Sequence, residues 1–250
     1  MQLDTSEHTT TYAPSIPRQE LYRQQYRRVN GHWEDSLHLY RDLIDHSTQK
    51  DTCILDIGCG HGDFLGSVYA RTPHTYGIDP DEQALKKNSI IRNTVLGAAD
   101  ALPFPDNFFD LVVSAWVLEH LDNPERVFQE IYRTLKPGGK VIFLTPNSWN
   151  YIVWIIRLIP HCFHDFLTRK LYHRQEGDTY LVRYKINSLR TIDRTLLPLG
   201  FKKSQVIFNG DPSYISFNKL LFTFACSLEN LLDKSFLHIA KVHIIGVYQK

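Results

Sequence analysis

The chain has 250 residues, 43% of them hydrophobic, with 28 Lys and Arg against 27 Asp and Glu, and four cysteines. That length fits one large domain, or a domain with an appended subdomain, and the apolar content excludes a mainly disordered chain. The near balance of charge excludes an overall field that would draw nucleic acid or an acidic partner.

The run "YRQQYRRVN" at 22–30 is a local basic patch and reads as a solvated helix face. Cys53, Cys59, Cys162 and Cys226 form no CxxC, and their separations suit neither a disulfide framework nor a zinc site, so reduced thiols and a cytoplasmic setting are expected. The N-terminal "MQLDTSEHTTTYAPSIP" is polar and lacks the apolar centre of a signal peptide. Residues 1–33 are expected to form a mobile tail and lid. The longest apolar cluster, "YIVWIIRLIP" at 151–160, is about half of what a bilayer span needs and contains Arg157, so no transmembrane segment is expected.

In chain order, "TCILDI" (52–57) predicts a buried strand, followed by a helix from His61 to Ala70. "HTYGID" (74–79) predicts a second strand, and "PDEQALKKN" a helix with an acidic first turn and a basic last turn. "TVLGAAD" (94–100) reads as a third strand. "FFDLVVSAW" (108–116) reads as a fourth, a near-continuous apolar run of the kind covered on both faces. Asn123 can cap the next helix, Pro124 suits its first turn, and Pro137-Gly138-Gly139 should stop it before the fifth strand, "KVIFLT". Residues 147–180 are irregular and rich in aromatics and His. "INSLRTIDRTLLPLGF" then predicts a helix ending at Gly200, "SQVIFN" and "KVHIIGVYQ" two last strands, and "SYISFNKLLFTFACSLENLLDKSF" an amphipathic helix between them. The alternation over 52–145 implies a doubly wound, mostly parallel α/β sheet.

The stretch "CILDIGCGHGDF" (53–64) places Gly58, Gly60 and Gly62 between a strand and a helix, where backbone N–H groups can approach a ligand closely. A P-loop would need Lys followed by Ser or Thr, and none is present; a GxGxxG dinucleotide loop would need glycine at 63, where Asp63 stands. Asp63 and Asp56 oppose a pyrophosphate and favour a ligand that is phosphate-free and positively charged. Asp79 ends the second strand, where a carboxylate accepts both hydroxyls of a ribose, although such an aspartate can instead cap the next helix. Asp100 is placed to accept from an exocyclic adenine amine. An adenosine with a cationic tail is S-adenosylmethionine.

Four stretches carry a family resemblance: "LDIGCGHG" (55–62), "GIDPDEQAL" (77–85), "AADALPFPDNFFDLVVSAWVLEHL" (98–121) and "LKPGGKVIFLTPN" (135–147). In order and spacing the chain resembles a class I S-adenosylmethionine-dependent methyltransferase of the type 11 group. The resemblance implies a seven-stranded Rossmann-like sheet whose last strand is antiparallel, with residues 34–250 as one domain and variable cap segments at 147–185 and 211–236. It implies that Asp56 and the backbone of Gly58, Cys59 and Gly60 hold the methionine part of the cofactor. It places Asp79 at the ribose, Asp100 and the Ala101 amide at the adenine, Pro80 among the contacts, and the Ala115 backbone toward the ammonium.

His120, just past the fourth strand at the carboxyl edge of the sheet, is the first candidate for a general base, against the alternative of a histidine packed under the next loop. "WVLEH" resembles part of a metal-binding E-x-x-E-H arrangement, but Trp116 takes the first glutamate's place and leaves only Glu119 and His120, so no metal is expected. The acceptor is expected to be a small molecule, most naturally an oxygen of a quinol, phenol, sugar or lipid-like metabolite. The alternative is a catalytically silent cofactor-binding subunit that docks a protein partner. Nucleic acid is not expected, because the chain reads "SAWVLEH" where an NPPY-type motif would stand. Peripheral membrane contact is the less favoured reading, since Lys219 stands nearly alone on the polar face of the late helix.

Overall fold

The structure is a computed structural model and describes residues 17–157, 181–234 and 236–250. Seven strands form one sheet: β1 (Ile54–Ile57), β2 (Thr75–Asp79), β3 (Asn93–Leu96), β4 (Phe109–Ala115), β5 (Leu135–Pro146), β6 (Lys202–Asn209) and β7 (His243–Gln249). Their spatial order is β3-β2-β1-β4-β5-β7-β6. β7 runs antiparallel to both β5 and β6, and the other pairings are parallel. The chain goes outward from β1 to β3 and then crosses back to β4, so the topological switch point lies between β1 and β4.

Alternation along the central strands divides the core in two. Leu55, Ile57, Val112, Val141 and Phe143 face one layer, with Val127, Phe128 and Ile131 from α5 (Pro124–Thr134) and Ile192 and Leu196 from α7 (Leu189–Leu196). Ile54, Leu111, Val113, Ile142 and Leu144 face the other. There they meet Tyr40 and Ile44 from α2 (Ser36–Ser47) and Val68 and Tyr69 from α3 (Gly66–Tyr69). A third, smaller core joins Tyr151 and Ile152 from α6 (Tyr151–Arg157) to Leu232 from α8 (Lys219–Leu232) and to Val242. Among the described residues no helix is long and apolar enough to cross a membrane.

The expected seven-stranded α/β sheet with an antiparallel last strand is present. Several boundaries differ. The helix expected from His61 begins as a 3-10 turn, Asp63–Leu65, because the glycine loop runs on through Gly62 at φ 76°. α5 ends at Thr134 rather than at Pro137, and Leu135 already pairs with Phe109 in the sheet. The Pro-Gly-Gly run sits within β5 instead, at the register shift between Phe109 and Leu111 and with Gly138 at φ 81°. β3 stops at Leu96, four residues short of Asp100, since its pairing with β2 ends where Asp79 meets Leu96. Residues 17–29 of the expected mobile tail are helical as α1 (Pro17–Val29), with Tyr22 and Tyr26 buried and Arg23 paired to Asp211 at 2.7 Å. Residues 1–16, and 158–180 of the expected cap segment, lie outside the described residues.

β7 closes on β5 through a glycine. A Cβ on Gly246 would stand 2.3 Å from the Phe143 ring, itself buried and stacked on Tyr248. Gly246→Ala is therefore expected to lower stability by about 1–3 kcal/mol through overpacking. Gly31→Ala, where nothing lies within 4 Å, should cost far less; urea unfolding of the two variants checks this.

Candidate functional site

The glycine loop leaves β1 at the switch point and is tied to the end of β2. The Gly58 and Cys59 N–H groups both donate to the Ile78 carbonyl, at 2.8 and 3.4 Å. The Gly60 N–H donates to Asp79 Oδ2 at 2.8 Å. Asn88, just past α4 (Glu82–Lys87), donates to the Gly60 carbonyl at 2.9 Å and holds the far side of the loop. Gly58 has φ 73°, and a Cβ there would stand 2.3 Å from Val117 Cγ2, so both conformation and space demand glycine. At Gly60 a Cβ would meet nothing within 4 Å, so that part of the loop faces open space.

Two clefts meet at Gly58. The first, of about 210 Å³, is lined by Asp56, Cys59, Gly60, Tyr40, Phe64 and Ala115 among others. The second, of about 280 Å³, is lined by Pro80, Asp100, Val117, His120, Leu121 and Asn123 among others. Asp56 is buried at the floor of the first, where Tyr69 Oη donates to its Oδ2 at 2.7 Å. Burial pushes the Asp56 carboxyl up to about 7, the Tyr69 hydrogen bond draws it down, and Asp79 adds a smaller upward push. A buried acid with a free face toward a cleft suits a cation.

Asp79 does not cap α4. Asp81 does, accepting from the Gln83 and Ala84 N–H groups at 2.8 and 3.1 Å. Asp79 instead accepts from Gly60 through one oxygen and from the Asp81 N–H at 2.8 Å through the other, which fixes its plane and leaves lone pairs for a diol. Asp100 is exposed at the rim of the second cleft, and its carbonyl accepts from Arg126 Nε at 3.2 Å. The Ala101 N–H makes only a long bond, 3.4 Å to the Ala98 carbonyl.

The structure brings Asp56, Gly58, Cys59, Gly60 and Ala115 to the first cleft, and Pro80, Asp100 and His120 to the second. His120 Nδ1 lies 3.3 Å from the Leu181 carbonyl, so the imidazole sits where residues 181–185 fold back over the β4 exit. Arg183 and Tyr184 N–H groups donate to the Glu119 carbonyl there, at 2.6 and 3.1 Å. Among the described residues Glu119 and His120 are not gathered with a third ligand. Among the described residues the one such grouping is Glu34, Asp35 and His38, with the Arg27 guanidinium 3.0–3.1 Å from both carboxylates.

Sequence reasoning missed several residues. Tyr40 and Phe64 line the first cleft with stacked rings, and Tyr69 donates to the buried Asp56 carboxyl. Trp116, directly after Ala115, holds φ 60° in the left-handed region that favours glycine. Its N–H donates to the Leu144 carbonyl at 2.9 Å and its ring packs on His243 at 4.9 Å. Burial lowers the His243 imidazole to about 4, leaving it neutral between Ser36 Oγ at 2.8 Å and Tyr214 Oη at 3.2 Å.

Residues 55–143 match the family described as "Methyltransferase domain". Demethylmenaquinone methyltransferase of Listeria welshimeri is 34% identical over 117 residues, covering 42% of this chain and 50% of its own. A ubiquinone/menaquinone biosynthesis C-methyltransferase of Cupriavidus taiwanensis is 31% identical over 154 residues, 55% of this chain and 59% of its own. The chain thus spans about half the length of the curated relatives it matches. The solved S-adenosylmethionine-dependent methyltransferase of Mesorhizobium loti covers 84% of this chain and 96% of its own, with TM-score 0.56 at 17% identity, and shares the fold. Residues 55–143 thus match a methyltransferase domain, and the solved neighbour that shares the fold is named as dependent on S-adenosylmethionine. The donor set fits that group: acids rather than cations line the glycine loop, and Gly60 opens onto free space.

Proposed function

We propose that the protein methylates a small aromatic acceptor of the quinol type, using S-adenosylmethionine. The observation that carries the cofactor half is the pair Asp56 and Asp79, buried at the ends of β1 and β2 on either side of a glycine loop without a phosphate-binding cation. The acceptor half is supported by the names of the curated relatives, which concern demethylmenaquinone and ubiquinone or menaquinone. The sequence favoured oxygen as the methylated atom; the relative named as a C-methyltransferase turns this proposal toward a ring carbon beside a phenolic hydroxyl.

In this reading Asp56 and the Ala115 backbone face the cofactor's ammonium, and the N–H groups and carbonyls of Gly58, Cys59 and Gly60 flank its methionine part. Asp79 accepts from the ribose hydroxyls, while Pro80, Asp100 and the Ala101 amide surround the adenine. The bound cofactor supplies a methyl on a sulfonium, already activated for displacement. The protein's task is then largely alignment, an effect worth roughly 7–11 kcal/mol when two partners are well held. His120 lines the Asp100 side, beyond the Gly58–Val117 contact, so it is proposed as a wall of the adenosine cleft rather than as the base.

The test is incubation with methyl-labelled S-adenosylmethionine and a naphthoquinol lacking its ring methyl. Label on the ring carbon is the expected result. A protein that binds the cofactor yet methylates only sugar or lipid hydroxyls would overturn the acceptor.

The charge on Asp56 gives a second expectation. Its carboxyl must be ionised to hold a cation, so cofactor affinity should rise from about pH 6 to about pH 8, through its value near 7. Tyr69→Phe removes the hydrogen bond that draws this value down, and the rise should move to higher pH. Calorimetric titration across the range reads both curves. Equal, flat affinities would remove Asp56 from contact with the cation.

A further inference from the structure

α8 is apolar around more of its circumference than the protein covers. Ala225, Glu229 and Leu232 turn inward, and Phe222 stacks on Tyr22 of α1 at 4.8 Å. Leu220, Phe224 and Leu231 recur at the i, i+4 and i+11 spacing of a single stripe, and Leu220 and Phe224 are 80% and 56% exposed. A helix serving only its own core would be polar there.

The exposed apolar residues continue onto the elements packed against α8. Trp149 and Trp154, beside and on α6, are 57% and 55% exposed with ring centres 6.4 Å apart. Phe236 and Ile239 are exposed in the segment between α8 and β7, whose Leu237 and Ala240 pack in the same small core as Leu228. Trp149 and Ile239 also form, with Leu189 and Phe208, the walls of an open cavity of about 370 Å³ that has Arg190 among its lining residues. Isolated surface leucines need no explanation, but this many large side chains on one subdomain do.

The charges around them are one-sided. Among the described residues, the side chains of Lys219, Lys234 and Arg190 have no hydrogen-bond or ion-pair partner. The neighbouring carboxylates are all engaged: Glu229 is buried and accepts from Tyr151 Oη at 3.0 Å, Asp233 pairs with Lys241, Asp211 with Arg23, and Asp193 with Lys203 and Tyr248. In the sequence alone Lys219 stands nearly alone on the polar face of this helix. Folding withdraws Glu229, the helix's one acid, from the surface and brings Lys234 and Arg190 to the same subdomain.

Exposed aliphatic and aromatic side chains, tryptophans among them, on a subdomain that also carries uncompensated cations match the headgroup region of an anionic bilayer. We propose that this face of the cap, built from α6, α8 and the 236–239 segment, docks on an anionic lipid surface. The proposal rests on the cap alone and stands whatever the acceptor is; a lipid quinol acceptor would then lie in the same membrane.

Cosedimentation with vesicles tests it. The protein is expected to bind phosphatidylglycerol–phosphatidylcholine vesicles at least about tenfold more tightly than phosphatidylcholine alone, with binding lost at high salt. The Leu220→Ser, Phe224→Ser double variant should lose about tenfold or more in partitioning. Lys219→Gln and Lys234→Gln should each lose about fivefold. All variants should keep wild-type affinity for S-adenosylmethionine and wild-type circular dichroism, so a lost fold is distinguished from a lost surface, and failure here leaves the cofactor reading intact. The proposal is overturned if folded wild-type protein ignores anionic vesicles, or if the double variant binds them equally well. A wild-type dimer that the double variant converts to monomer would assign the face to a second copy instead.

Discussion

The hydrogen bond from the Gly60 N–H to Asp79 Oδ2 joins the loop that leaves β1 to the end of β2, and the arrangement of the site follows from it. Together with the two N–H groups that converge on the Ile78 carbonyl, it holds three successive residues of the glycine loop against the neighbouring strand. That constraint turns the loop through positive φ at Gly58, Gly60 and Gly62 and clears the space between β1 and β4. It also commits the Asp79 carboxylate to one orientation before any ligand arrives, so little rotamer freedom remains to be lost on binding.

The second constraint is burial. Asp56, Glu119 and Glu229 are three carboxyls deep in the chain, each pushed up to about 7 chiefly by desolvation, and each held by a single hydroxyl donor: Tyr69, Thr145 and Tyr151. Asp56 faces a cleft, where a cation can offset the cost of its charge. Glu119 and Glu229 serve structure. Through Thr145, Glu119 connects the β4 exit to Asn187 at 2.5 Å, and its carbonyl anchors residues 183–184. Glu229 packs against Gly210, where a Cβ would stand 1.8 Å from its carboxylate, and so seats α8 beside the Asp211–Arg23 pair that fastens α1. The cap is therefore held by polar groups as well as by its small apolar core, and Leu220, Phe224 and Leu231 of α8 are left exposed.

Much of the core was legible in the sequence, because β1, β2, β4 and β5 carry local signals: apolar runs bounded by glycine, proline and helix caps. Asn123 caps α5 as its position suggested. Boundaries set by pairing rather than by local preference were not legible. β3 ends where β2 ends, and Leu135 joins the sheet because Phe109 lies opposite it. Asp79 and Asp81 are equally plausible helix caps in a string of letters; the Gly60 N–H decides between them. Tyr40 reaches the cleft from a helix that precedes the first strand, and Ser36 meets His243 across 207 positions of sequence. No pattern within a window reports such meetings. Trp116 gave no warning of its left-handed backbone, which accompanies long-range contacts with β5 and His243.

The proposed cofactor site uses acids around the glycine loop to select a cationic, phosphate-free nucleoside over a dinucleotide. Calorimetric titration of the purified protein with S-adenosylmethionine and, separately, with NAD tests this directly. Micromolar binding of S-adenosylmethionine and none of NAD is the expected result. Binding of NAD, with S-adenosylmethionine ignored by the folded protein, would contradict it.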